Sequence, residues 1–295
     1  LAMAVGNTCI IMALKGFGKT QSLELVAYDR AVSLLPDEPK DERILIVGIT
    51  DNYINKTGKI NPSDQDLTTV IDKLSAQNPV AIGIDLYRNI PQEGRDAYLP
   101  DTDQDTLDPE QFPFWKALLE RFQQPHIISI TTFASENNVA IPPPPNAPPT
   151  QVGFNDLLLD ADDVVRRGLL MGWSQNPETG ENDTFHFSLP MTLAMKYLED
   201  PPEPSGLAEP ILPGNALDNP MHLTLGDATF IPLTSDAGGY DRSDAEGYQF
   251  FINYHSRNVG VISEEEPSSG KPIGIEAISF LDVLRDKVQP EKIQD

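Results

Sequence analysis

The sequence has a single cysteine, Cys9, so no intramolecular disulfide can form. Its four histidines are scattered along the chain and lack the spacing of a metal-ligand set. It contains no G-x-S-x-G nucleophile elbow and no strict dinucleotide-binding fingerprint. These absences remove the usual sequence signs of metal, hydrolytic and redox chemistry. We therefore expect no catalytic residue, no metal ligand and no cofactor in this chain.

Basic residues are also scarce. The chain has 21 lysines and arginines against 45 aspartates and glutamates, which gives a formal net charge of −24. Nucleic acids and anionic membrane surfaces bind to positively charged faces. We therefore exclude both as the main partner of this chain.

The clearest pattern lies between residues 43 and 88. Residues 44–49 form an apolar run that leads to Asp51 and predicts a strand buried on both faces. Ser63 then precedes apolar residues at helical spacing, which predicts a capped amphipathic helix. Residues 80–84 repeat the first apolar run and end at Asp85. A strand, a helix and a strand form a right-handed crossover, so we expect the two strands to be parallel neighbours.

Weaker patterns predict the remaining elements. We expect helices over residues 21–35, 114–122, 187–198 and 278–284, and strands over 126–132, 164–171 and 249–254, with two short strands around the turn at 226–227. In the first helix, five apolar residues share one face, namely Leu23, Val26, Ala27, Ala31 and Leu34. The sequence therefore predicts an α/β fold, with a mixed, largely parallel sheet covered by helices and a smaller β-rich C-terminal part.

The ends of the two repeated strands supply the main candidate site. Parallel neighbours would bring Asp51 and Asp85 to the same carboxyl edge, where ligands bind in open α/β sheets. Arg88 follows Asp85 and could hold an anionic ligand through two charge-assisted hydrogen bonds. In the alternative interpretation, the two aspartates only cap loops and Arg88 pairs with the acidic loop after Pro91.

Paired arginines stand out in a chain this poor in basic residues. Arg166 and Arg167 lie on a predicted strand, whose alternation would send them to opposite faces, so at most one should face a pocket. The alternative is that both pair with the neighbouring aspartates. Together with Asn253, these arginines complete the set of ligand-binding candidates.

The N-terminal residues 1–14 are apolar except for two polar side chains, but a bilayer span takes about 20 residues. We interpret residues 1–20 as the end of a membrane-spanning or membrane-proximal segment, against the alternative of a core element. Residues 13–20 have the spacing of a relaxed phosphate-binding loop, but Ala13 stands where the strict motif requires glycine. The spacing of Asp101, Asp103 and Asp105 suggests a calcium loop, but two required positions do not match.

Several stretches, in this order, resemble the CHASE type 2 sensor domain of bacterial membrane receptors. They are Tyr28-Asp29, residues 44–51, residues 81–85, Gly153-Phe154, residues 160–167, residues 252–254 and residues 279–284. Tyr87-Arg88 looks most like cyanobacterial members of the family. One departure is Asp163, because the family usually has glycine there.

The resemblance implies a ligand-sensing or mechanically coupled extracytoplasmic domain, without catalysis of its own, over residues 21–295. It implies a periplasmic domain anchored by flanking membrane helices and continuing beyond residue 295. It further implies an unidentified small-molecule ligand and an output cyclase, serine/threonine kinase or histidine kinase, and leaves dimerisation open. The rival hypotheses are a metal-dependent enzyme that uses Asp51 and Asp85, a phosphate-loop nucleotide-binding protein, and a passive interaction scaffold.

Overall fold

A computed structural model describes residues 20–36, 41–92, 107–133, 140–175, 182–199, 212, 221–240, 245, 247–254 and 275–288. The fold is α/β, as predicted, and it contains parallel and antiparallel sheets. The helices are α1 Gln21–Val32, α2 Asp51–Thr57, α3 Asp64–Ser75, α4 Pro113–Phe122, α5 Leu189–Glu199 and α6 Phe280–Leu284. The strands are β1 Asp41–Gly48, β2 Ile82–Gly83, β3 Ile127–Thr131, β4 Val152–Phe154, β5 Leu158–Leu159, β6 Val165–Gln175, β7 Asn182–Phe187, β8 Leu223–Leu225, β9 Ala228–Phe230, β10 Tyr248–Phe251 and β11 Ile275–Ser279.

Helix α3 follows the sequence pattern closely. The Ser63 hydroxyl accepts a hydrogen bond from the backbone N–H of Asp66 at 3.2 Å, which caps the helix as predicted. The apolar stripe of α3 is buried, and α4 buries a matching stripe; the residues are Leu67, Val70, Ile71 and Leu74 on α3 and Trp115, Leu118, Leu119 and Phe122 on α4. These two stripes and the adjoining strands form the main hydrophobic core.

Three strands form a parallel sheet in the order β2–β3–β4. Strand β3 is buried along its whole length, as expected for the centre of such a sheet. Helix α5 packs directly against this sheet. A Cβ at Gly153 would lie 2.6 Å from the backbone of Leu189, so only glycine permits this approach. Pro190 lies in the first turn of α5, where proline is tolerated, as predicted.

The predicted pairing of the first two strands is wrong. Strand β1 pairs in parallel with β11, with Gly48 opposite Ser279, whereas β2 pairs with β3 in a different sheet. A crossover connection does not require its two strands to be neighbours, because a later segment can pair with the first. Burial of β1 on both faces is also wrong, since Ile44 and Ile46 are 48% and 40% exposed.

The later part of the chain is β-rich, as predicted, and most of its strands pair in antiparallel. Strand β6 pairs with β5, β7 and β10, and β8 and β9 form a hairpin. The predicted final helix begins later than expected, because Ile278 and Ser279 belong to β11.

Helix α1 exists as predicted, but the five apolar residues on its predicted common face are not buried. Leu23, Val26 and Leu34 are 72%, 61% and 70% exposed, and the described residue that α1 does bury is Leu25. Three predictions fall outside the described residues. They are the membrane-spanning or membrane-proximal segment predicted for residues 1–14, the relaxed phosphate-loop spacing over residues 13–19, and the spacing of three aspartates at 101–105. Among the helices that the structure describes, none has both the length and the hydropathy to cross a membrane.

Candidate functional site

Polar side chains from three segments meet at the carboxyl edge of the β2–β3–β4 sheet. The Asn155 side chain, just after β4, donates from Nδ2 to Oδ1 of Asp85 at 2.7 Å. The Tyr87 hydroxyl donates to Oδ1 of the same amide at 2.8 Å. Asn155 therefore ties the end of β4 to the segment that follows β2, although the residues are about 70 positions apart in sequence.

A second group of contacts continues along this edge. Asp156 accepts hydrogen bonds from the hydroxyl of Thr132 at 2.6 Å and from the backbone N–H of Phe133 at 3.2 Å. The Phe133 ring packs against Phe154 and His186, with centroid distances of 4.5 and 5.2 Å. We call Asp85, Tyr87, Thr132, Asn155 and Asp156 the edge cluster.

The edge cluster offers carboxylate, amide and hydroxyl groups beside aromatic rings. Asp85 is exposed to solvent, so its carboxylate can be reached by a solute. Polar groups that converge at the carboxyl ends of parallel strands are typical of ligand sites in open α/β sheets. The arrangement presents hydrogen-bonding groups of the kind that bind small polar molecules in such sites.

The structure does not bring Asp51 to this edge on a neighbouring strand. Asp51 is the first residue of α2 after β1, and it is exposed. Because β1 and β2 belong to different sheets, the argument for a shared site with Asp85 no longer holds. Within the described ranges, no group of three or more histidine, cysteine, aspartate or glutamate residues is arranged to hold a metal ion.

Arg88 lies inside the fold. Its side chain is 2% exposed, and Nε lies 3.4 Å from Oδ1 of Asp64, which is fully buried. The guanidinium also donates to the carbonyl oxygens of Tyr87 at 2.8 Å and Pro62 at 3.0 Å. Burial lowers the pKa of Arg88, and the charge of Asp64 opposes this shift. The guanidinium therefore contacts buried groups of the fold, so Arg88 is not the exposed residue that the alternative interpretation supposed. The acidic loop after Pro91 lies largely outside the described residues.

Arg166 lies at the centre of a second polar group. Its side chain is 2% exposed, and all five of its N–H groups donate to carboxylates at 2.7–2.8 Å. Asp29 of α1 accepts from Nε and Nη2, Asp162 accepts from Nη1 and Nη2, and Asp160 accepts from Nη1. We call Asp29, Asp160, Asp162, Arg166 and Arg167 the arginine cluster.

Arg167 reaches the same carboxylate. It donates from Nη2 to Oδ1 of Asp160 at 2.8 Å and from Nη1 to Oε1 of Gln249 at 2.8 Å, and its guanidinium lies 4.7 Å from the ring centre of Tyr240. Both arginines thus reach the same carboxylate, although strand alternation predicts that they start from opposite faces. Strand alternation fixes where Cβ points, but a long side chain can bend back to a carboxylate in the adjoining turn. The structure confirms the alternative, in which both pair with neighbouring aspartates.

Hydrogen bonding sets the electrostatics of this cluster. Burial alone would raise the pKa of Asp160, but hydrogen bonds from Tyr240, Arg166 and Arg167 prevail and lower it. The hydrogen bond from Arg166 lowers the pKa of Asp162 to about 2. Burial and the hydrogen bond to Asp160 raise the pKa of Tyr240. The carboxylates of Asp160 and Asp162 are thus held in the ionised form that Arg166 requires.

The turn between β5 and β6 explains the departure at Asp163. Its φ is 61°, in the left-handed region, and its N–H donates to the carbonyl oxygen of Asp160 at 2.9 Å. The N–H of Asp160 donates in turn to the carbonyl oxygen of Val164 at 3.0 Å. This pattern is typical of a three-residue hairpin loop that ends in a left-handed residue, usually glycine. Aspartate tolerates this conformation better than most residues.

The last candidate, Asn253, is exposed beyond the end of β10. Ligand binding by the six candidate residues stays a prediction. Sequence reasoning missed Asn155 and Asp156 because they follow a strand of only three residues. The only sequence signal for them is a polar pair directly after an apolar triplet.

The family model described as the CHASE2 domain matches residues 4–295, which is nearly the whole chain. No curated protein and no solved structure gives a match to the chain. The chain belongs to the CHASE2 family, whose members are extracellular sensory domains.

Proposed function

We propose that this domain binds a small polar molecule outside the cytoplasm and reports its presence through a membrane anchor to an output domain. Membership of an extracellular sensory family supports the sensing role. Coupling to a cyclase or a protein kinase is the further part of the proposal, drawn from the resemblance in the sequence. The domain itself carries out no catalysis in this proposal.

The observation that carries the proposed site is the bridge made by Asn155. One amide joins Asp85 and Tyr87, so a ligand that touches any of these groups acts on two separate strand ends at once. A sensory site needs this property, because binding must change the relation between parts of the protein.

The chemistry of the edge cluster favours one class of ligand. Its charged members are the carboxylates of Asp85 and Asp156, and the nearby guanidinium of Arg88 is turned towards Asp64 and two carbonyl oxygens. We infer a ligand that donates hydrogen bonds or carries a positive charge. An anionic ligand held by Arg88 would require that guanidinium to leave its buried partners.

Native mass spectrometry of the purified domain tests this proposal. We expect a small molecule to co-purify with the natural chain and to be lost from Asp85→Ala and Asn155→Ala. The matched control is Asp72→Ala, which removes an exposed carboxylate on α3 from a surface ion pair with Arg121. The same mass retained in both edge variants would contradict the proposed site.

The chemical state of the co-purified molecule also distinguishes a sensor from an enzyme. A sensor should return it chemically unchanged after prolonged incubation, and a chelator should not affect its binding. Turnover that stops on addition of a chelator would instead favour a metal-dependent enzyme.

A further inference from the structure

Among the residues that the structure describes, helix α1 buries little of its surface against the rest of the fold. Within the described residues it buries one side chain, Leu25, and leaves most of its apolar face exposed. Two close approaches hold it near Leu25. The ring of Tyr28 packs against Phe251 with centroids 5.0 Å apart, and a Cβ on Gly239 would lie 2.9 Å from the Cβ of Glu24. Such limited burial supplies little hydrophobic stabilisation, so polar contacts must contribute much of the attachment.

Asp29 and Arg166 form a strong polar contact between α1 and the rest of the fold. Two parallel hydrogen bonds of 2.8 Å join the carboxylate of Asp29 to Nε and Nη2 of Arg166. This bidentate geometry is the strongest form of charge-assisted hydrogen bond between side chains. Arg166 is buried on β6, whereas the Asp29 side chain is 43% exposed. Removal of Asp29 would leave two donors of a buried cation without partners, which strongly favours the docked helix.

The same arginine is linked by a short segment of chain to the edge cluster. Asn155 and Asp156 precede Asp160 by only five and four residues, and Asp160 accepts a hydrogen bond from Arg166 at 2.7 Å. Leu157 and strand β5 lie between Asp156 and Asp160. The path along the chain from the end of β4 to the carboxylates that hold Arg166 is therefore only a few residues long.

We propose that the Asp29–Arg166 pair is the joint that holds α1 on the sensory body, and that occupancy of the edge cluster loosens or tightens this joint. The second half of this statement rests on the proposed function; the first half does not. Residues 155–166 are the connection, because they carry both the edge amide and the arginine with its partners. Arg166 acts here as a positioning residue for α1.

Hydrogen–deuterium exchange of the full chain, measured without added ligand, tests the joint. We expect Asp29→Asn to raise exchange in residues 21–32 by at least tenfold, since a bidentate charged pair becomes at best a single weak bond. Exchange in residues 64–75 should stay unchanged, which shows that the fold is intact. Asp29→Glu keeps the carboxylate and should restore protection of α1 to within about threefold.

The matched control is Asp162→Asn. Asp162 also makes two hydrogen bonds with Arg166, but it lies on the turn and not on α1. We expect this variant to leave α1 protected. Unchanged exchange of α1 in Asp29→Asn, or an equal loss of protection in Asp162→Asn, would contradict the proposal that the Asp29–Arg166 pair holds α1. Either result would leave the proposed ligand site standing, because no ligand enters the measurement.

Discussion

The buried pair of Arg88 and Asp64 gives the sharpest stability prediction. At an N–O distance of 3.4 Å and an effective dielectric constant of about 20, the attraction is about 5 kcal/mol. Most of this offsets the cost of removing both charges from water, so the pair itself adds little net stability. Removing only one partner is different, because the other charge stays buried. We therefore expect Arg88→Ala to lower the free energy of unfolding by about 3–5 kcal/mol.

Urea unfolding followed by tryptophan fluorescence measures this loss. Trp115 is a suitable probe, since it is fully buried and its indole N–H donates to the carbonyl oxygen of Arg88 at 3.2 Å. Arg88→Lys keeps the charge, but a lysine cannot reach Asp64 and both carbonyl oxygens at once. We therefore expect a loss in the free energy of unfolding that is smaller than that of Arg88→Ala. The control is Arg121→Ala, which breaks an exposed bidentate pair with Asp72 and should cost below about 1 kcal/mol.

Two results would refute this reasoning. One is a loss for Arg88→Ala that is no larger than the loss for Arg121→Ala. The other is a loss that appears only when a small molecule is bound, which would instead support Arg88 as an anion clamp.

Three other predictions follow from single positions. In urea unfolding, Asp163→Gly should keep or slightly raise the free energy of unfolding. Asp163→Val should lower it by about 1–2 kcal/mol, because the backbone at this position is left-handed. Equal stability of the two variants would contradict this. Gly153→Ala should lower the free energy of unfolding by about 1–3 kcal/mol, since the added Cβ meets the backbone of α5. At Gly172 a Cβ makes only ordinary contacts, so Gly172→Ala should change the free energy of unfolding little. Equal losses in the two variants would argue against this close packing. Arg166 lowers the folded pKa of Asp162 to about 2, from 3.8 in the unfolded chain, so the ionised carboxylate stabilises the fold above pH 3.8. This stabilisation is lost as the pH falls through about 2. Thermal melts of Asp162→Asn should lack this part of the acid dependence, and an unchanged pH profile would contradict the prediction.

Local signals in the sequence predicted local structure well. Helix α3 was predictable because Ser63 and the apolar stripe after it act within a few residues of each other. The β8–β9 hairpin was predictable from the turn at Gly226, whose φ of 56° suits glycine. In both cases the residues that decide the conformation are neighbours in the chain.

Long-range choices were not predictable in this way. Strand β1 pairs with β11, more than 220 residues later, and no local pattern distinguishes β11 from β2 as its neighbour. The exposed face of α1 was missed because Asp29 and Tyr28, rather than the apolar stripe, attach the helix. Periodicity identifies a helix with an apolar face, but tertiary contacts decide which face is covered.

The candidate site was predicted only in part. The apolar run before Asp85 correctly pointed to a carboxyl edge, whereas Asn155 and Asp156 could be found only once β4 was seen beside β3. Arg88 looked like a ligand-binding residue from sequence, because nothing local shows that its partner is Asp64 in the cap region of α3.

The most direct test of the account is hydrogen–deuterium exchange of the domain with and without the molecule that co-purifies with it. If the edge cluster is the sensory site, binding should protect residues 85–88, 131–133 and 153–156 and should change exchange in α1, residues 21–32. Protection confined to other elements, such as the β8–β9 hairpin, with the edge cluster unchanged, would contradict the account.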